Sequence, residues 1–278
     1  MKPIASPLPR RAFLRRGALG AGVLTAAPWL ARAADSPNGT LRIGMIGTGD
    51  RGNFLLGEIL AAAGRENVRV VALCDVWRKN LESTAERVRS RQEETPKTFA
   101  RYGDLLASPD VDAVVIATPD FSHGTILNAA LAAKKDVYIE KPMTIDLESA
   151  NRALDAARAG ERVVQVGTQR RSDGQFRAAA AYVGTGALGP ISRVTAEVNF
   201  NHARWLRPMA DCVEPDVAWK DYLLHLKERP FEAGLLRRWQ LHRETSNGFP
   251  GLWMTHYADA VHLLTGAKYP RSAVALGG

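Results

Sequence analysis

The sequence predicts an α/β fold built on a parallel sheet, followed by a less regular α+β half. Three observations carry this. Short runs rich in Val and Ile recur at 42–46, 68–74, 113–117, 136–139 and 162–166. Segments of helical spacing separate them, at 53–63, 80–89, 125–133 and 147–159. The first apolar run leads straight into a glycine-rich turn, Gly47-Thr48-Gly49-Asp50-Arg51-Gly52. Apolar strands bounded on both sides by helices belong to sheets covered on both faces.

Residues 1–33 are expected to be an address label. Arg10-Arg11 is followed by Phe13-Leu14, a weakly apolar stretch over 17–30 and Ala31-Arg32-Ala33. A charged start, an apolar middle and a small-residue cleavage site make an export signal. The adjacent arginines resemble the twin-arginine type, which implies the translocation machinery as a partner and a periplasmic or exported location. Gly20, Gly22 and Pro28 make the stretch a poor membrane helix. Six of the chain's 37 Lys and Arg residues lie in this leader, which holds no Asp or Glu. The remainder carries 31 basic against 29 acidic residues, a net of +2, so a nucleic-acid partner is not expected. Cys74 and Cys212 have neither metal-type spacing nor the density of a disulfide framework.

After a polar linker at 34–40, residues 41–170 read as a dinucleotide-binding domain. The G-x-G-x-x-G turn follows a strand, opens a helix, and precedes a second strand that ends at Asp75, 23 residues beyond Gly52. In this context Gly47 permits the tight turn, Gly49 lets the backbone approach a pyrophosphate, and Gly52 lets helix pack on strand. The helix start, with Asp50 and Arg51, then faces the phosphates. Asp75 is placed to accept hydrogen bonds from the adenine ribose. Its charge repels a 2′-phosphate and favours NAD over NADP, a preference that nearby Arg78 and Lys79 would soften.

The third strand runs into ATPDFSHG and the fourth into YIEKPMT. Strand carboxyl ends line the ligand crevice of an open parallel sheet, so Thr118, His123, Glu140 and Lys141 are expected to border it. Pro142 keeps Lys141 extended. A lysine beside a cationic nicotinamide ring would have a depressed pKa, suited to proton exchange with a substrate hydroxyl. The plainer reading of Glu140-Lys141 is a surface ion pair. Asp146 and Gly160 are expected to start and stop the helix over 147–159.

Residues 171–278 read as a second, α+β domain. A helix is expected at 175–183, a long alternating strand at 192–200, an aromatic-rich irregular stretch beyond it, a helix at 252–264 and a last strand at 272–276.

GTGDRG, ATPDFSHG, EKP and VGTQRR, in this order, resemble the Gfo/Idh/MocA family of oxidoreductases. The resemblance implies an N-terminal Rossmann domain, then a C-terminal α/β domain with a large, mostly antiparallel sheet. It implies catalytic work for Lys141 and cofactor contacts at Pro119, Gln169 and Arg171. It also implies sugar, polyol or related substrates and a homo-oligomer. The family's Asp and His, four residues apart on a second-domain helix, fall here on Leu252 and His256. His256 is retained as catalytic, the usual Asp is replaced, and Asp259 is a candidate substitute. His202 and Arg204 are further candidates for substrate contact. His256, Asp259 and His262 lack a fourth ligand, so no metal is expected. Relatives normally continue beyond the point where this chain stops, so the second domain is expected to be truncated.

Three functions follow. The first is an exported NAD(P)-dependent oxidoreductase acting on a CH–OH group, with tightly bound, internally recycled cofactor. The second is a redox-neutral NAD-dependent glycoside hydrolase or lyase. The third is a non-catalytic cofactor- or sugar-binding protein.

Overall fold

A computed structural model describes residues 39–199, 205–274 and 276; the leader, His202 and Arg204 lie outside them. Contacts divide the chain into Met1–Leu41, of which only residues 39–41 are described, and a compact unit Arg42–Gly278. Among the described residues no helix is long and apolar enough to cross a membrane.

The first half alternates as expected: β1 (Leu41–Ile46), α1 (Asp50–Glu66), β2 (Val68–Cys74), α2 (Arg78–Gln92), β3 (Lys97–Phe99), α3 (Tyr102–Ala107), β4 (Ala113–Ile116), α4 (Asp120–Ala132), β5 (Asp136–Glu140), α5 (Leu147–Ala159) and β6 (Val164–Gly167). The strands form one six-stranded sheet in the order β3-β2-β1-β4-β5-β6. β1 with β4, β2 with β3, β4 with β5, and β5 with β6 pair in parallel.

The apolar runs bury both faces. Ile43 and Met45 of β1, Val70 and Leu73 of β2 and Val115 of β4 meet Leu56 of α1 and Val88 of α2. Ile46, Cys74, Val114 and Ile116 meet Leu105 and Leu106 of α3, Ile126 and Leu127 of α4 and Ala153 of α5. This alternation of neighbouring strand residues between two helical layers is the period-2 geometry of a doubly covered sheet. Cys74 and Cys212 are buried free thiols. The Asp146 side chain accepts a hydrogen bond from the Ser149 amide at 2.7 Å and caps α5, which ends at Gly160.

Three differences from expectation have physical causes. β3 and α3 are short elements that lack a long apolar or helical repeat, so neither stood out. α4 begins at Asp120 rather than 125, because Pro119, with φ −60°, takes the N-cap position and supplies no amide the helix needs. Most of ATPDFSHG is therefore helix. Residues 192–199 form no strand, and Phe200 lies outside the described residues. Alternation produces a strand only where another strand pairs with it; Ile191 and Val194 stay exposed instead. The same holds at 272–274 and 276, with Val274 exposed. The large antiparallel sheet is thus absent among the described residues.

The second half is helical and irregular. α6 (Gly174–Gly184) packs against α9 (Thr255–Thr265), which follows a π-type turn at Pro250–Met254. Between them lie α7 (Trp219–Leu223) and α8 (Ala233–Arg237). Trp219 stacks on Tyr222 at 5.2 Å, and Tyr222 meets Phe121 edge-on at 5.5 Å, fastening this region to α4.

Candidate active site

A cleft of about 400 Å³ opens at the carboxyl ends of the strands, where chain order reverses between β1 and β4. This switch point is where open α/β sheets bind ligands, since two loops diverge there and leave a crevice.

The glycine turn forms one wall. Gly47 has φ +85°, and a side chain there would meet the Ala117 backbone at 2.8 Å. A Cβ on Gly52 would lie 2.0 Å from the Gly47 carbonyl oxygen. Both positions therefore require glycine. Gly49 is the N-cap of α1, and the first-turn amides of Asp50, Arg51 and Gly52 have no intrahelical acceptor, which makes this end of the helix suited to an anion. Arg207, from the distant second half, reaches Asp50 at 2.8 Å and adds a guanidinium beside it.

Asp75 follows β2. Its Oδ2 accepts from the Thr48 amide and hydroxyl at 2.7 and 3.0 Å, and its Oδ1 accepts from the Trp77 amide at 2.9 Å. Burial pushes the carboxyl's pKa up, and these bonds oppose the rise. The Asn80 side chain is a further donor, so a ribose hydroxyl would take over one of the carboxylate's about four acceptor positions. The turn, the helix start and Asp75 fit an adenine dinucleotide.

The opposite wall holds the titratable groups. Arg51 grips Glu140 through Nε and Nη2, both 2.6 Å from Oε1. The Lys141 ammonium donates to the Leu252 carbonyl oxygen at 2.9 Å, across 111 residues of sequence. Burial lowers the pKa of Lys141, while Asp120 and Glu140 oppose this. The depression expected from a nicotinamide thus already arises from the protein. His256 also faces the cleft and is pushed down to about 4 by burial and by the positive charges of Lys141, Arg170 and Arg51. It is neutral at physiological pH.

His123 is buried in α4. Its Nδ1 lies 2.6 Å from the Pro142 carbonyl oxygen and its Nε2 2.9 Å from that of Thr118, tying together the loops after β4 and β5. Burial lowers its pKa.

The cleft brings together Gly47, Gly49, Asp50, Arg51, Asp75, Thr118, Pro119, His123, Glu140, Lys141, Gln169 and His256. Gly52 packs just behind the turn. Arg171 and Asp259 do not line it; they pair with each other at 2.5 Å. Among the described residues no group of three His, Cys, Asp or Glu side chains comes together as a metal site.

Sequence reasoning passed over Asp120, which is buried against the same cleft and receives a 3.4 Å hydrogen bond from the Ser246 hydroxyl. Burial raises it to about 7, with Lys141 and Ser246 opposing. Its placement one residue after Pro119, at a helix start, was the available signal. Trp205, Trp239, Gln240 and Trp253 also line the cleft. No local pattern marked them, since long-range folding alone carries them there.

Residues 41–168 match the Gfo/Idh/MocA family, described as an oxidoreductase family with an NAD-binding Rossmann fold. An inositol 2-dehydrogenase of Agrobacterium fabrum is 36% identical over 173 residues, 62% of this chain and 50% of that protein. One from Pseudomonas fluorescens is 31% identical over 198 residues, 67% of this chain and 52% of that protein. The crystal structure of myo-inositol 2-dehydrogenase from Lactobacillus plantarum superposes with a TM-score of 0.50 at 25% identity, covering 55% of this chain and 43% of that one. The chain spans about half the length of the curated relatives it matches. Over residues 41–168 the chain has the glycine turn, switch-point cleft and parallel sheet of a Rossmann fold, and it is similar there to the Gfo/Idh/MocA oxidoreductase family.

Proposed function

We propose that this protein is an NAD-dependent oxidoreductase acting on a CH–OH group of an inositol-like polyol or sugar. The observation that carries the reading is the seat of Lys141. Its ammonium is half-buried on the Leu252 carbonyl, in one cleft with neutral His256 and the dinucleotide-type turn. The inositol 2-dehydrogenase relatives support the substrate class.

When bound, NAD would supply the hydride acceptor. Gly47, Gly49, the amide-rich start of α1 and Asp75 would hold it. Lys141, with its lowered pKa, exchanges the proton of the substrate hydroxyl. His256, uncharged near neutral pH, offers a ring nitrogen that accepts a hydrogen bond from the same or a neighbouring hydroxyl. Arg51 keeps Glu140 fixed behind Lys141, and Trp205, Trp239 and Trp253 give the cleft apolar walls.

Export by the twin-arginine route, with cofactor bound before translocation and recycled in place, completes the proposal; its support is the Arg10-Arg11 leader. Replacing both arginines by lysine in a reporter fusion would leave the reporter in the cytoplasm. If the reporter still crosses, this route is wrong.

The central test is hydride transfer from a panel of inositols, sugars and polyols, with NAD binding measured separately by calorimetry. Lys141→Met is expected to lower kcat by roughly 10²–10⁴-fold while leaving NAD affinity intact. Full turnover in that variant overturns the role of Lys141, and failure of the wild type to bind NAD overturns the whole reading.

A further inference from the structure

Arg78 and Lys79 open α2, three and four residues after Asp75, where a cation would reach a phosphate on the adenine ribose. Both are engaged elsewhere. Lys79 Nζ lies 2.6 Å from Oδ2 of Asp211, and Arg78 pairs with Asp216, partners 132 and 138 residues away. Arg101 is matched in the same way to Asp221, at 3.3 Å. Three basic side chains at the adenosine end of the sheet thus each meet an acid from one segment, 211–221. Asp75, Trp77 and Asn80 line the cleft, whereas Arg78 and Lys79 do not.

The segment's position does not depend on these charges. Trp77 and Val217 form an antiparallel bridge, and the Ala218 amide donates to the Val76 carbonyl at 2.8 Å. Trp77, Cys212 and Val217 are buried together. The ion pairs themselves are largely exposed, with 59% and 43% of the Lys79 and Asp211 side chains accessible, so they contribute little to stability. Their effect is on where positive charge sits. The remaining charges nearby are Glu82, 3.9 Å from Arg78, and Arg237, whose guanidinium covers the Trp77 ring at 4.6 Å.

We propose that Asp211 and Asp216 set a preference for NAD over NADP by holding Lys79 and Arg78 away from the ribose 2′ position. Asp75 alone repels a 2′-phosphate only until a cation is free to offset it, and these two acids withhold Arg78 and Lys79. The inference rests on the dinucleotide reading of the Gly47–Asp75 site and adds to it residues that lie outside that site.

The test is equilibrium binding of NAD and NADP, measured by calorimetry at low salt on the full chain, with no turnover required. Asp211→Asn with Asp216→Asn should leave NAD affinity unchanged and raise NADP affinity roughly tenfold, the value of one hydrogen bond to a charged group. Adding Arg78→Ala and Lys79→Ala should abolish the gain, and raising the salt should shrink it. Circular dichroism and denaturant unfolding verify that the double variant is folded. An unchanged NADP-to-NAD ratio in the folded variant overturns the proposal while NAD binding stands. A gain that persists without Arg78 and Lys79 also overturns it. Binding of neither nucleotide by the wild type overturns the dinucleotide reading, and this proposal with it.

Discussion

Asp120→Asn isolates the energetics of the buried carboxyl. The side chain is 2% exposed, and its pKa rises from 3.8 to about 7 on folding, chiefly through burial. Between these values the folded protein retains a proton that the unfolded chain has released. The group's contribution to stability is therefore full below about pH 4, declines as pH rises, and is lost above about pH 7. The whole span corresponds to about 4 kcal/mol, of which about 2.5 kcal/mol falls between pH 5 and pH 8. Asparagine has nearly the same shape and no such titration. Denaturant unfolding of both proteins at pH 5 and pH 8 should show the wild type losing about 2.5 kcal/mol more than the variant over that interval. Any further fall in the pKa of Lys141, once its acidic neighbour is gone, enlarges the difference, because a depressed lysine pKa stabilises as pH rises. Parallel curves for the two proteins, or a difference of opposite sign, would refute the argument that Asp120 is held against the cost of burying its charge.

Two other substitutions probe the walls of the cleft. Gly52→Ala places a methyl 2.0 Å from the Gly47 carbonyl oxygen, so α1 must shift; unfolding should show a loss of about 2–3 kcal/mol and calorimetry a marked fall in NAD affinity, and wild-type values for both would contradict the close approach. Arg51→Ala strands Glu140, whose side chain is only 6% accessible. Since Arg51 itself is a third exposed, a loss of about 2 kcal/mol is expected by denaturant unfolding at pH 7.5, with partial recovery in Arg51→Lys.

The legible part of the molecule is the part whose contacts are local or periodic. β2 and α5 begin and end where their apolar runs do, and Gly47, Gly52 and Asp75 follow from spacing alone. Lys141 was found because a strand end fixes where its residue must lie. Asp120 was missed because Pro119 brought the helix start forward and turned a supposed loop residue into a buried helical one. Trp205, Arg207 and Trp239 reach the cleft through a path set by Trp77, Phe121 and Tyr222, the first two of which lie more than 80 residues earlier, and no nearby pattern encodes such a path. The strand expected at 192–200 shows the converse: a pattern specifies a face, but pairing needs a second chain segment.

The anchor of Lys141 is a main-chain oxygen, presented by a turn of π geometry at Pro250–Met254. Every amino acid carries that oxygen. Exchange of the side chain at position 252 leaves the acceptor chemically unaltered, so the lysine's seat is inherited through the course of the backbone rather than through residue identity. Alanine at position 252 would pass over it in silence. A change that resets the turn, such as an insertion, a deletion or a Cβ on Gly251 that meets Asn247 at 2.7 Å, would move the oxygen without altering Lys141 itself.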